Sequence, residues 1–187
     1  MIESRWHGRG GQGAVTSVEM LALAAIEEGK YAQGFPAFGP ERRGAPVMAF
    51  NRISDTPIKI RSGIYHPDVV VVLDPSLVNL VPVTDGLKPE GVLIVNTSKP
   101  AEDIRRILNY RGTLYTVDAT HIAREELGVP ITNTTMLGAV LKVTGVLRLD
   151  ALKNPLAHRF GKLAGRNMAA LKRAYNEVRM AEAVKAA

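Results

Sequence analysis

A chain of 187 residues, 46% of them hydrophobic, has the size and apolar content of one globular domain that buries its own core. It contains no cysteine, which excludes a disulfide framework, a thiolate nucleophile, a cysteine-ligated zinc site and a cysteine-held iron–sulfur cluster on this chain. The net charge of +6 admits an anionic ligand, an acidic partner or nucleic acid without choosing among them.

The stretch Met1 to His7 lacks the apolar run of a secretory signal, and nothing approaches the roughly 20 apolar residues of a membrane span, so a cytoplasmic protein is expected. Ile2 to His7 is extended in character and runs into Gly8-Arg9-Gly10-Gly11-Gln12-Gly13. Ala14, Val15, Val18, Leu21, Ala22, Ala25 and Ile26 then recur at helical spacing, with Gly29 placed to end the helix. After Tyr31 to Phe35 comes a loop stiffened by Gly39, Pro40, Gly44 and Pro46. Val47 to Ile53 reads as a strand, and Ser54-Asp55-Thr56-Pro57 as a turn into a second run, Ile58-Lys59-Ile60, which predicts a hairpin. Val69 to Leu73 is a β-branched run with the pattern of a strand covered on both faces; Gly91 to Asn96 and Gly112 to Asp118 repeat it, with Ala101 to Leu108 as a crossover helix.

Asn133 is placed to cap a helix through Met136, Leu137, Val140, Leu141 and Val143. Pro155 opens a longer helix, expected over about 155–184, with Leu156, Phe160, Leu163, Met168, Leu171, Tyr175 and Val178 as its apolar stripe. Most of the net positive charge lies on this segment, at Arg159, Lys162, Arg166, Lys172, Arg173, Arg179 and Lys185. Strand runs alternating with helices predict a single α/β domain over 1–187, three-layer α/β/α, with a mixed, largely parallel sheet.

The spacing G-x-G-x-x-G between a strand and a helix suits an anion, because glycines let the backbone approach a phosphate and the helix start offers free N–H groups. Arg9 adds a cation. A tight strand-to-helix turn without a ligand fits the same residues. The acidic residue of a dinucleotide site would be Glu27 or Glu28, which fall inside the helix, and no Lys followed by Ser or Thr makes a P-loop. Glu41, Arg42 and Arg43 in the stiff loop Phe38 to Pro46 suit a phosphate-bearing ligand or an ion-pair network at an interface. His7, His66, His121 and His158 lack metal-ligand spacing, so no metal is expected, and no G-x-S-x-G elbow is present. Asp68, Asp74 and Asp118 at strand ends read as turn-forming residues. With 5% aromatic residues, the basic face of the last helix is expected to be solvated or to contact a subunit, with no nucleic acid bound.

Four stretches, taken in order, carry a resemblance: His7-Gly8-Arg9-Gly10-Gly11-Gln12-Gly13; Phe38-Gly39-Pro40-Glu41-Arg42-Arg43-Gly44-Ala45-Pro46-Val47; Pro67-Asp68 into the valine run and Asp74-Pro75; and Asn133-Thr134 with Met136-Leu137-Gly138. Together the sequence resembles the gamma subunit of the pyruvate and related 2-oxoacid:ferredoxin oxidoreductases over nearly its whole length. The resemblance implies a complex that oxidatively decarboxylates a 2-oxoacid to acyl-CoA and CO2 and reduces ferredoxin, using thiamine pyrophosphate, Mg, [4Fe-4S] clusters and coenzyme A. It implies thiamine-binding alpha and beta subunits and an iron–sulfur delta subunit as partners, with no thiamine or cluster held by this chain, which has no Cys and no Gly-Asp-Gly tripeptide. It places Gly8, Arg9, Gly10, Gly11, Gln12, Gly13, Glu41, Arg42, Arg43 and Asn133 near the coenzyme A path or a subunit seam, and it favours pyruvate as the substrate. The alternatives are the gamma subunit of a branched-chain 2-oxoacid enzyme, a stand-alone nucleotide-binding α/β module, and a basic protein that binds nucleic acid through its last helix.

Overall fold

The computed structural model describes residues 1–37 and 43–181. In chain order the elements are β1 (Ile2–Arg9), α1 (Ala14–Glu27), β2 (Tyr31–Pro36), β3 (Pro46–Ser54), β4 (Val69–Val72), β5 (Val92–Asn96), α2 (Ala101–Leu108), β6 (Thr113–Val117), α3 (Ala119–Leu127), α4 (Asn133–Thr144), α5 (Lys153–Phe160), α6 (Ala164–Glu177) and β7 (Arg179–Met180). A 3-10 turn, Pro75–Asn79, follows β4.

The strands form one seven-stranded sheet in the order β2-β3-β1-β4-β5-β6-β7. β1, β4, β5 and β6 run parallel at its centre. β3 is antiparallel to β1 and β2, and β7 is antiparallel to β6. The expected mixed sheet in an α/β/α arrangement is therefore observed.

The period of two in a strand explains why the valine run is apolar throughout. Val69 and Val71 point into a large core shared with α1, α4 and α6 and centred on the fully buried Trp6. Val70 and Val72 point into a second, smaller core shared with the 3-10 turn and α2. Helices thus cover both faces over β4 to β6. Over β2, β3 and β1 no helix among the described residues covers the second face, and the irregular segment 57–66 lies there instead. Arg52 ties that segment down: its Nη2 donates to the carbonyls of Ser62 and Gly63 at 2.9 and 3.2 Å, and its Nε donates to Glu3 Oε1 at 2.7 Å.

Three expectations are corrected. Ile58 to Ile60 is not a strand, because both edges of β3 are already taken, one by β1 and the other by β2. The hairpin partner of β3 is therefore the Tyr31–Pro36 stretch before it rather than the run after the turn. The helix expected over about 155–184 breaks at Gly161, whose φ of 51 ends α5, and after α6 the chain turns into β7; residues 182–187 lie outside the described ones. Asn133 is the first residue of α4 rather than its cap. Thr132 holds the cap position without a side-chain bond, while Asn133 Oδ1 accepts from the N–H of Thr134 at 2.9 Å.

Candidate functional site

β1 leads into α1 on one face of the sheet, whereas β4 leads into the 3-10 turn and β5 leads into α2 on the other. The carboxyl ends of β1 and β4 therefore splay apart, making the crevice where open α/β sheets bind ligands. The glycine loop occupies one side of it and Asp74 the other.

The loop is wired to Asp74 by its own side chains. Gln12 Nε2 donates to Asp74 Oδ2 at 2.7 Å, and Arg9 Nε lies 3.2 Å from the same oxygen. Gln12 Oε1 in turn accepts from the N–H of Arg9 at 2.7 Å. The remaining guanidinium nitrogens of Arg9 donate to Ser76 Oγ at 2.7 Å and to the Gly44 carbonyl at 2.9 Å. Asp74 Oδ1 accepts from both the N–H and the Oγ of Ser76. Partial burial works against ionising Asp74, but the hydrogen bonds from Ser76 and Gln12 and the charge of Arg9 outweigh it and hold the carboxyl below its ordinary value.

Gly13 is the N-cap of α1, in a left-handed conformation with φ of 82, and it has no side chain with which to cap the first-turn N–H groups. A Cβ there would come within 2.5 Å of Asn133 Nδ2, so a larger residue is excluded by both conformation and space. Asn133 is buried against this turn, and its carbonyl accepts from Ser17 Oγ, which also reaches the Gly13 carbonyl. At the other end, the N–H of Gly10 donates to the Ala45 carbonyl at 2.9 Å and the N–H of Gly44 to the Gly10 carbonyl at 3.1 Å. An isolated bridge joins Gly10 to Arg43.

The structure therefore brings Gly8, Arg9, Gly10, Gly11, Gln12, Gly13, Arg43 and Asn133 into one cluster. Glu41 and Arg42 lie outside the described residues. Arg43 is exposed and makes no ion pair with the described residues, whereas Arg9 is engaged on three sides. Asp74 was legible as a turn residue and is one, but its role as hub of the glycine loop needs the β1–β4 pairing to be seen. Glu27 and Glu28 serve elsewhere: they accept from Asn154 and Arg148 and anchor the connection around α5 to the end of α1. Neither stands at a strand end, where a ribose hydroxyl would be read.

One titratable group, read in the sequence only as lacking metal-ligand spacing, has a specific place in the structure. His7 is buried, and burial followed by the charge of Arg5 pushes its pKa down from 6.5 to about 3. It stays neutral and accepts from Arg5 Nε at 3.0 Å. Because the folded value is depressed, the unfolded chain binds the extra proton, so stability present above pH 6.5 is lost as pH falls toward 3. Between pH 7 and 5 this single group is expected to cost about 2 kcal/mol. Urea unfolding of the wild type and of His7→Gln, which keeps an acceptor without titrating, should differ in pH dependence by that amount; parallel pH profiles would refute the assignment.

Residues 3–177 match the family described as pyruvate ferredoxin/flavodoxin oxidoreductase. The chain is 56% identical over 179 residues to the pyruvate/ketoisovalerate oxidoreductases common subunit gamma of Thermococcus kodakarensis, covering 95% of this chain and 97% of the relative. It is 51% identical over 180 residues to the pyruvate synthase subunit PorC of Methanothermobacter marburgensis, covering 96% and 98%. The crystal structure of pyruvate oxidoreductase subunit PORC from Thermotoga maritima superposes with a TM-score of 0.87 at 43% identity, covering 97% of this chain and 98% of that one. These matches span the glycine loop, the crevice and the helical layer alike, and the chain belongs to the pyruvate ferredoxin/flavodoxin oxidoreductase family as one of its gamma-type subunits.

Proposed function

We propose that this chain is the gamma subunit of a multi-subunit pyruvate:ferredoxin oxidoreductase, working with thiamine-binding alpha and beta subunits and an iron–sulfur delta subunit, and that its glycine-loop cluster forms a seam with the thiamine-binding subunits beside the coenzyme A path. The complex converts pyruvate and coenzyme A to acetyl-CoA and CO2 and passes two electrons to ferredoxin. Thiamine pyrophosphate with its Mg and the [4Fe-4S] clusters supply that chemistry when bound, and the residues of this chain do not fit them. It has no cysteine, no Gly-Asp-Gly tripeptide and, among the described residues, no group of three His, Cys, Asp or Glu side chains able to hold a metal. No helix among the described residues is long and apolar enough to cross a membrane.

The observation that carries the seam is the internal wiring of the loop. Arg9 and Gln12 are occupied by Asp74, and that carboxylate stands at the crevice where a free phosphate would otherwise sit. The pre-formed loop instead presents the exposed Arg43 outward. A rigid platform with an outward cation suits an acidic partner surface better than it suits a wrapped phosphate.

Arg42→Ala combined with Arg43→Ala, assayed in the assembled complex, tests this. Loss of most of the co-purifying thiamine-binding subunits is the expected result. A raised KM for coenzyme A in an intact complex would move the cluster onto the ligand path, and unchanged kinetics with unchanged assembly would contradict both. A second reading is favoured by the name of the Thermococcus relative, which describes a subunit common to pyruvate and ketoisovalerate oxidoreductases: this chain serves a branched-chain 2-oxoacid complex as well.

A further inference from the structure

The half of the sheet that has no second helical layer among the described residues contains a pocket apart from the glycine-loop cluster. The register aligns Arg5 of β1 with Phe50 of β3 and Phe50 with Phe35 of β2, so these side chains form one row across the uncovered face. Met48 and the segment bearing Arg61 and Tyr65 complete a cavity of about 400 Å3. Phe35 and Phe50 pack with ring centroids 5.4 Å apart, which makes its floor rigid and apolar.

Arg5 is the unusual member. Only 7% exposed, it donates through Nε to His7 and through Nη2 to the carbonyls of Val83 and Asp85. Those bonds fix the guanidinium in place. Its Nη1 has no hydrogen-bond partner among the described residues, and the side chain lines the cavity. A buried cation with a free N–H face next to aromatic walls is suited to a carboxylate carried on an apolar stem, and the exposed Arg61 places a second positive charge at the mouth.

The cavity is large enough for a small molecule. A small carboxylate would nevertheless leave the surrounding apolar surface wet: Tyr65 is 73% exposed, Met48 39% and the neighbouring Ile60 45%. A protein partner covers all three and supplies the missing layer.

We infer that this face is a subunit interface in which a partner subunit of the oxidoreductase seats an acidic side chain in the pocket, its carboxylate on Arg5 Nη1 and Arg61 and its apolar stem against Phe35 and Phe50. The inference rests on the gamma-subunit reading and adds a second contact surface to it, on the sheet face opposite α1.

Because the chain has no cysteine, Tyr65→Cys gives it a single thiol whose maleimide labelling can be followed by the mass of this chain alone. Labelling should be fast on the free full-length chain and more than tenfold slower in the assembled complex. Amide exchange of residues 60–66 in the wild type, free against assembled, gives the same comparison without a substitution and stands if the variant does not assemble. Arg61→Glu should weaken subunit association at least tenfold, with Arg61→Lys close to wild type. Equal labelling and equal exchange in an intact complex would overturn the interface while leaving the gamma-subunit reading standing; failure of the wild-type chain to join any complex would overturn that reading itself. Protection by millimolar benzoate on the free chain, with none added by the partner subunits, would assign the pocket to a small carboxylate and also overturn the proposal. Wild-type assembly by Arg61→Glu would do the same for the seated carboxylate.

Discussion

Gly138→Ala should destabilise the protein by about 2–3 kcal/mol, although helix propensity alone favours alanine by about 1 kcal/mol. Gly138 lies in the middle of α4, every residue of which from Asn133 to Leu141 is buried. α4 packs face to face with α6, and a Cβ on Gly138 would overlap the Leu171 carbonyl oxygen and come within 3.0 Å of the Tyr175 nitrogen. These are backbone atoms of the facing helix, so no side chain can rotate away and the two helices must separate. Separation would disturb the contact of Asn133 with Gly13 as well, since α4 begins against the glycine loop. Chemical denaturation of the variant gives the measurement; a variant as stable as wild type, or more so, would mean that the helices are not in contact at this point.

Arg52→Met is expected to cost about 3 kcal/mol, because removing one member of a buried ion pair leaves the other uncompensated. The Arg52 side chain is 1% exposed and that of Glu3 19%. Its other bonds, to Gln33 Oε1 and to the carbonyls of Ser62 and Gly63, are what hold segment 57–66 against the sheet. The loss should therefore have two parts: a lower denaturation midpoint, and faster amide exchange across 57–66 than elsewhere. Glu3→Gln in the Arg52→Met background should recover part of the stability without restoring the exchange protection, since it removes the orphaned charge but not the lost anchors. Uniformly faster exchange over the whole sheet would show that Arg52 supports the core generally rather than this strap.

The central parallel strands and the glycine loop were legible because their signals are local: a β-branched run, or glycines at fixed spacing before an amphipathic helix. What stayed hidden depends on pairing. β2 carries Gln33 and Gly34 in place of an apolar alternation, and it is a strand because β3 offers it an edge. Ile58 and Ile60 have better strand propensity and form none, because β1 and β2 already take both edges of β3. The apolar stripe of the last helices continues at spacings of three and four across Gly161, so periodicity could not show that the helix stops there. Asp74 reads as a turn residue from its neighbour Pro75, and only the parallel pairing of β1 with β4 brings it to Gln12 and Arg9. The row Arg5, Phe50 and Phe35 likewise exists only in the register. The absence of cysteine, by contrast, is read without any pairing: it excludes a cysteine-held cluster on this chain.

Affinity capture of the intact wild-type chain from the cell that makes it, followed by identification of the chains recovered, puts the gamma-subunit assignment to the test. Stoichiometric recovery of thiamine-binding chains and a cysteine-rich iron–sulfur chain is expected, with pyruvate- and coenzyme A-dependent reduction of ferredoxin in the captured material. Recovery of the chain alone, under low-salt conditions that preserve weak subunit contacts, would contradict it.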